Sequence, residues 1–546
     1  MSNLESGIDT AAIPGFSGMS ERQQALAMKE IELNRKLDQQ INLNITNMPK
    51  AVYFIIPNEL CERFCFYGIN PLLNRYYQTA VGLSSDNAKA YSHLFKAFTY
   101  FFPLIGAAVS DSYLGKYHTI VYFSLIYVIG NVLTSVLSIH ELLGPKVPFA
   151  AAFVPLLLVS IGAGGIKPCV SSHGGDQFLS QQRDLMEKFF QLFYLSINVG
   201  ALISAYLTPV LKNEIKCFGA QNCYFVAFGV PAIFFALALI LFVAGFKFYR
   251  VVPPAREFLP WKALKTTFHA LGKRSSATQA EIDAVGGKWL NLSNDLVGAE
   301  FVEETRLLGN AILVMLPICG FWMLYDQGST EWQNQYEIMD KWIFNWFQVP
   351  TESFGNVNSM LIIIFVPILA YWFYPFMERR GRRITHLQRM NIGFILCIIA
   401  FVLANLIQYK VESDFAAAKA AGGVYINPET ESVEKCEGCM KGLLTIFQWI
   451  ILSLGEAFLS PTGVMFSYTQ VGPQMKASSS SIWLLTSSLG NEIVFGLTFA
   501  MTTLSSTVKM WIFVGIGVFF WALFTWLSTR FQYIAEYDDE KRDEKN

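Results

Sequence analysis

Three ionisable residues, Glu59, Glu62 and Arg63, sit inside an apolar run that begins near residue 51. On a helix at about 100° per residue, they and Tyr67 share one face about 140° wide. Glu59 and Arg63 are i, i+4 neighbours and can pair along the helix. An acid beside an arginine stays ionised until the arginine is drawn away; its affinity for a proton then rises. Such a cluster can couple a proton to the arrival of something that competes for the arginine. Lys96, Lys167, Asp326, Glu456 and Glu492 also fall in apolar runs. A charge at the centre of a bilayer costs about 3 kcal/mol or more, so it persists where it meets a partner or a wet cavity. Lys96 can snorkel outward, and Glu492 reads as a structural acid, with an extra proton site as the alternative.

The elements that carry these residues are long and apolar. Of 546 residues, 53% are hydrophobic and only 15% charged, against roughly 25% charged in an ordinary soluble domain. A bilayer core needs about 20 apolar residues per helix. Candidate spans fall at 51–77, 89–113, 118–139, 147–171, 187–211 and 224–246, then at 307–327, 356–378, 387–408, 441–463, 478–502 and 508–530. The expected fold is therefore an all-α membrane protein of twelve transmembrane helices in two six-helix halves. The expected divisions are a tail at 1–48, a bundle at 49–246, a linker at 247–306, a bundle at 307–530 and a tail at 531–546. An even count puts both termini on one side. Basic residues cluster at 379–383 and 247–274, which makes that side the cytosol. The stretch Glu21–Asn42 reads as a solvated or interfacial helix. The sequons at Asn44 and Asn291 fall on the cytosolic side and are expected to be unused. The polar N-terminus and the long first apolar segment argue against a cleavable signal peptide.

The formal net charge of −1 gives nucleic acid no reason to bind. No nucleophile–base or metal-ligand set is visible, so neither an enzyme nor a metal site is expected. Cys217 with Cys223 and Cys436 with Cys439 fall in predicted outer loops, where oxidising surroundings permit disulfides. The first pair is expected to be bridged. The second is open between a bridge, free thiols and a weak metal pair. Cys61, Cys65, Cys169, Cys319 and Cys397 read as packing residues.

The halves echo each other. Asp111-Ser112-Tyr113-Leu114-Gly115-Lys116 follows the second span, and Glu378-Arg379-Arg380-Gly381-Arg382-Arg383 follows the eighth. This doubled arrangement resembles the major facilitator superfamily, which implies a midplane site between halves that rock. The run Glu59-x-x-Glu62-Arg63-Phe64-x-x-Tyr67-Gly68 resembles the span 1 signature of the proton-coupled oligopeptide transporter family. Gly164-Gly165-Ile166-Lys167-Pro168 with Gly174-Gly175-Asp176-Gln177-Phe178, Phe193-Tyr194-Leu195-Ser196-Ile197-Asn198, Trp322 with Asp326-Gln327, and Gly455-Glu456 are similar to further stretches of that family. The resemblance covers nearly the whole apolar region.

It implies roles residue by residue. Glu59, Glu62 and Arg63 couple protons, with His93 and Glu456. Arg63, Tyr67, Tyr76, Lys167, Tyr194, Asn198, Trp322, Asn358, Glu456 and Trp483 form the substrate pocket. Lys167 meets the carboxylate end of a short peptide, Glu456 meets its α-amino group, and the two can face each other. Asp326 and Lys167 gate. The implied cargo is di- and tripeptides with protons as the coupling ion and no other cofactor. The chain is expected to act as a monomer in the bilayer, the plasma membrane being the default and a lysosome-like compartment, which would also supply an acid side, the alternative. A symporter of another small solute such as nitrate, or a non-transporting peptide sensor, stands as the alternative. The chain departs from some members at Asn70, where they carry an arginine that Arg75 does not replace, and at Asn310 and Ala370, where animal members carry an Arg and an Asp. The outer segment 409–440 is too short for the large outer domain of animal members.

Overall fold

The computed structural model describes residues 21–534 apart from 140–143, 145, 218–221, 344–346, 349–354, 427–432 and 502–503. Its main helices are α1 (Glu21–Leu43), α2 (Val52–Ile69), α3 (Ser85–Val109), α4 (Gly115–Val136), α5 (Phe149–Gly175), α6 (Arg183–Glu214), α7 (Tyr224–Ala244), α8 (Leu259–Arg274), α9 (Ala299–Met315), α10 (Val357–Ile368), α11 (His386–Ala420), α12 (Ile446–Thr469), α13 (Lys476–Ala500) and α14 (Ser506–Ser528). Every candidate span falls on a helix. Nine helical stretches among the described residues are long and apolar enough to cross a membrane, and one of them, Leu94–Val136, runs through most of α3 and all of α4. α2 and α13 stay outside that set because α2 carries Glu59, Glu62 and Arg63, and α13 carries Asn491 and Glu492 together with several serines.

Two compact units emerge, and they do not follow the six-plus-six order. The first comprises Met1–Phe189, Leu211–Gly309 and Ser467–Ser481. Its centre is the packing of α5 on α3 and α4. A Cβ on Gly106 would lie 2.3 Å from the carbonyl oxygen of Gly165, and one on Gly162 would lie 2.6 Å from the backbone nitrogen of Tyr127. Only small residues allow so close an approach in a helix packing without a hydrophobic drive from water. This approach fixes the height of Lys167, two residues beyond Gly165. Gly115, with φ +73°, makes the reversal between α3 and α4, a conformation that L side chains rarely adopt.

α1 is docked rather than solvated. The Asn34 side chain makes two hydrogen bonds to the backbone of Val251, donating at 2.8 Å and accepting at 3.0 Å. Asp38 pairs with Arg250 at 2.7 Å, and Leu37 is buried. Asn34 and Asp38 lie one turn apart on the same face, which the tail's bland composition conceals. The linker contains α8, and α9 starts at Ala299, before the expected 307.

The second unit comprises Phe190–Val210, Asn310–Phe466 and Ile482–Asn546. Here α11 meets α12 where Gly393 faces Gly455; a Cβ on Gly393 would lie 2.5 Å from the Gly455 carbonyl. α11 runs to Ala420, well past the expected 408, so much of the supposed 409–440 loop is helix. A short antiparallel pair, Val424–Ile426 with Val433–Cys436, follows. Both cysteine pairs are bridged, Cys217 to Cys223 and Cys436 to Cys439. The bridge closes the alternatives for the second pair. The other five cysteines are free.

Candidate transport site

In the first unit, α2 holds the expected charge cluster. Arg63 Nε donates to Glu59 Oε1 at 2.7 Å and lies 3.2 Å from Glu62 Oε2, with all three side chains buried. The i, i+4 pairing read from spacing is therefore present. Lys167 is buried on α5. Its ammonium stands 4.0 Å from the centre of the Phe66 ring and 5.5 Å from that of Tyr100. Ring faces attract a cation with no hydrogen-bonded counter-ion. Its charged neighbours are Arg63, Glu62 and Glu59. Two carboxylates against one guanidinium and one ammonium sum to zero formal charge, so the group as a whole is a buried neutral set. Phe66 stacks on Phe95 at 6.1 Å and meets the half-buried Tyr67 edge-on at 5.3 Å. Tyr76 sits in a separate aromatic packing with Tyr77, Tyr224 and Phe228 at 5.1–6.0 Å. His93 lies on α3, and its side chain is outside the described residues.

In the second unit, Glu456 on α12 is buried and accepts hydrogen bonds from Tyr194, Asn358 and Tyr325 on other helices. The Tyr194 hydroxyl donates to its Oε1, and Asn358 Nδ2 donates to Oε2 at 2.8 Å. Asn358 Nδ2 also reaches the Tyr325 hydroxyl at 2.7 Å, and its Oδ1 accepts from Ser453. Charge-assisted bonds of this kind let a carboxylate remain in an apolar setting. Asn198 Nδ2 donates to the Tyr194 carbonyl at 3.1 Å. The rings of Trp322 and Trp483 meet at 6.3 Å, Trp483 resting over Gly463, where a Cβ would lie 2.0 Å from the indole. Asp326 closes the short helix Cys319–Asp326 that carries Trp322. Tyr194, Asn358 and Glu456 are thus brought together by hydrogen bonds, and Trp322 and Trp483 by ring contact. Lys167 and Glu456 belong to different packing units, and each has partners of its own.

A third cluster was not foreseen. Lys116 Nζ bonds Asp176 Oδ2 at 2.5 Å with both groups buried. Tyr468 donates to Asp176 Oδ1 at 2.8 Å, and Lys476 stands 3.7 Å away. Burial pushes the Asp176 carboxyl up, but the ammonium groups of Lys116 and Lys476 and the hydrogen bonds of Lys116 and Tyr468 bring it below the usual carboxylate range. Nearby, Asp111 Oδ2 accepts from the backbone and hydroxyl of Ser478 at 2.7 and 2.8 Å, at the N-terminus of α13. A carboxylate is favoured there by the unpaired helix N–H groups. The signal lay in the runs 111–116 and 174–178; what it lacked was the partner stretch 467–481, distant in sequence.

At the departures, Asn70 is half-buried, Arg75 and Asn310 are exposed and Ala370 is buried. Lys96 on α3 and Glu492 on α13 are both exposed. Among the described residues no group of His, Cys, Asp and Glu could hold a metal ion.

Comparison with known proteins gives these clusters a context. A POT family profile matches residues 117–521. Peptide transporter family 1 of Drosophila melanogaster is 39% identical over 367 residues, 67% of this chain and 48% of that protein. Human Solute carrier family 15 member 2 is 33% identical over 366 residues, 67% of this chain and 50% of that protein. The chain spans about half the length of the curated relatives it matches. A crystal structure of an auto-inhibited POT family peptide transporter superimposes with a TM-score of 0.61 and 26% identity, covering 90% of this chain and 99% of that one. With a family profile extending over most of its length and relatives above 30% identity, the chain belongs to the POT family, a family of multi-pass membrane transporters.

Proposed function

We propose that this chain is a proton-coupled symporter that imports di- and tripeptides by alternating access of the halves 49–246 and 307–530. The observation that carries the reading is the buried neutral set Glu59, Glu62, Arg63 and Lys167. Such a set is costly to bury and serves best where an incoming carboxylate can take over one of its cations. A short peptide is a zwitterion, and its carboxylate competes with Glu59 and Glu62 for Arg63 and Lys167. The acid released from its cation then takes a proton. Glu456 is the complementary site for the α-amino group, with Tyr194 and Asn358 holding its oxygens in place. Tyr67, Tyr76 and Asn198 line the peptide, and Trp322 and Trp483 accept varied side chains by apolar contact. His93 admits protons from the acidic side, and Asp326 and Lys167 act in gating. The relatives named as peptide transporters support peptide over nitrate as cargo. The reading includes twelve crossings, both termini in the cytosol, a monomer in the plasma membrane, and protons as the sole coupling species. With a negative interior each proton gains about 2.3 kcal/mol per 100 mV.

The test is uptake of a labelled dipeptide into proteoliposomes under an imposed pH gradient, with nitrate as competitor. Accumulation that excess nitrate leaves unchanged is expected. Glu62→Gln is expected to abolish uphill accumulation while counterflow persists in part. A protein that never concentrates peptide under any gradient, or a Glu62→Gln variant with intact uphill uptake, overturns the reading.

A further inference from the structure

The connecting segment carries a helix with two apolar faces. On α8, at about 100° per residue, Leu259, Ala263, Thr266 and Ala270 fall within about 60° of one another. This face is turned inward: Leu259 packs with Phe301 and Met475, and Ala270 packs with Leu290 and Val302. On the opposite side Trp261, Leu264, Phe268 and Leu271 fall within about 80° and are exposed by 64, 50, 67 and 45%. A water-facing helix of a globular protein is polar on that side. The charges lie on the flanks between the two faces and are all basic: Lys262, Lys265, Lys273 and Arg274, with no acid anywhere on α8. Lys262 is paired with Glu257 at 2.5 Å and Lys273 with Asp295 at 2.6 Å. Lys265 is exposed.

Both ends of α8 are tied to points where the chain leaves apolar spans. At the start, the Leu259 N–H donates to Ser112 Oγ at 3.1 Å and the Ala255 N–H to the Asp111 carbonyl at 3.0 Å. The Phe258 ring lies parallel to Tyr113, 6.4 Å between centres, and both rings are exposed. Residues 111–113 join α3 to α4. At mid-helix Ser293 donates to the Thr266 carbonyl at 2.9 Å, and toward the far end Ala270 packs on Val302 in the first turn of α9. A rod of 16 residues, about 24 Å long, fixed at both ends to span termini on one side runs along the membrane boundary rather than away from it. Aromatic rings at such a boundary are the usual interfacial anchors.

We propose that α8 is an interfacial anchor that binds anionic phospholipid. Trp261, Leu264, Phe268 and Leu271 enter the headgroup–acyl boundary, and Lys265 with Arg274 meets the lipid phosphates and carboxylates. An apolar stripe between basic flanks is the pattern of helices that lie in a membrane surface. A second copy of the chain is the less suitable occupant, since pairing two such faces would bring like charges together. The inference goes beyond the symport reading and does not use it.

The test uses the full chain in lipid nanodiscs, with phosphatidylcholine brominated near the chain's carbonyl end, with and without phosphatidylserine. The fluorescence difference between the native chain and Trp261→Phe isolates the Trp261 signal. Leu264→Trp, at an exposed position, supplies a second reporter if the first variant fails to fold. Bromine is expected to quench both reporters, more strongly with phosphatidylserine. Lys265→Gln is expected to raise the phosphatidylserine fraction needed for half-maximal effect about fivefold, the equivalent of about 1 kcal/mol for one basic side chain at an anionic surface. Unquenched reporters overturn the anchor. Equal quenching in both lipids overturns the anionic preference. Protection that grows with protein per disc assigns the face to a second copy and overturns the proposal. None of these readouts involves transport.

Discussion

Replacing Asp176 by Asn tests whether the unforeseen cluster behaves as a buried ion pair. Lys116 and Asp176 meet at 2.5 Å with side chains 6% and 4% exposed. The variant leaves the ammonium of Lys116 in place with no carboxylate. Truncating one partner of a buried pair costs about 3–5 kcal/mol, because the remaining charge is stranded away from water. Lys476 loses less, since it stands 3.7 Å away and is 16% exposed. Tyr468 can still donate to the amide oxygen. The expected loss is therefore about 3–5 kcal/mol, read by urea unfolding of the full chain in mild detergent. Removing both charges, as in Lys116→Met with Asp176→Leu, should restore most of it, because hydrophobic replacement of a buried pair is often neutral. The pH dependence has a definite sign. The folded Asp176 carboxyl lies below its usual range, so its contribution is fully present above the unfolded value of about 3.9 and is lost only as pH falls through the folded one. The difference between native and variant should thus be flat from about pH 8 to about pH 5. A loss under about 1 kcal/mol, the size of an exposed pair, would refute the reasoning. So would a double variant as unstable as the two single losses added.

Other substitutions address separate contacts. Glu456→Gln keeps shape and one acceptor oxygen, enough for Tyr194, but loses the charge and turns the oxygen that accepts from Asn358 into a donor; it should weaken dipeptides with a free amino terminus about 10- to 100-fold, equivalent to about 1.5–3 kcal/mol for a charge-assisted bond. N-acetylated dipeptides should compete equally well against both forms, and an equal loss for the two peptide classes would show that Glu456 does not read the amine. Cys217→Ser with Cys223→Ser opens a bridge of sequence separation 6; such a short loop is worth about 2 kcal/mol, and an unfolding midpoint unmoved by the change would disprove that contribution. Asn34→Ala removes both bonds to Val251 and should speed amide exchange across the second half of α1 about 5- to 30-fold, or about 1–2 kcal/mol; unchanged exchange would mean that Leu37 and Asp38 hold the helix alone.

What could be read from the chain depended on whether the physics was local. Charges within apolar runs stand out whatever the fold, because the bilayer makes them costly. The Glu59–Arg63 pair was legible because both partners lie on one turn of one helix. The partners of Glu456 were legible in type but not in geometry: Tyr194 lies 262 residues away and Asn358 98. Asp176 escaped notice because its partners come from two stretches distant in sequence, Lys116 from one and Tyr468 with Lys476 from the other. The linker helix escaped for a different reason. Its Trp261, Leu264, Phe268 and Leu271 do follow helical spacing, but they were submerged among the basic residues that served to orient the termini. The length of α11 escaped because residues 409–420 are polar enough to leave the membrane while still favouring helix, as their alanines and charged residues do.

The same long-range bonds explain why packing regroups the chain across the order of the repeat. The stretch Phe190–Val210 of the early half belongs to the second unit, and Ser467–Ser481 of the late half belongs to the first. Each transferred stretch is held by a carboxylate. Tyr194, on the first stretch, donates to Glu456. On the second, Tyr468 and Lys476 meet Asp176, and Ser478 donates twice to Asp111. These are polar contacts to carboxyl groups, exchangeable for water, peptide or proton without opening a packed core. The close glycine contacts of Gly106 with Gly165 and of Gly393 with Gly455 offer no such exchange, because separating those helices would leave voids. In a protein whose halves rock as proposed, the carboxylate contacts are therefore the ones that can break and reform in each cycle. The glycine contacts keep each unit's helices together while they do.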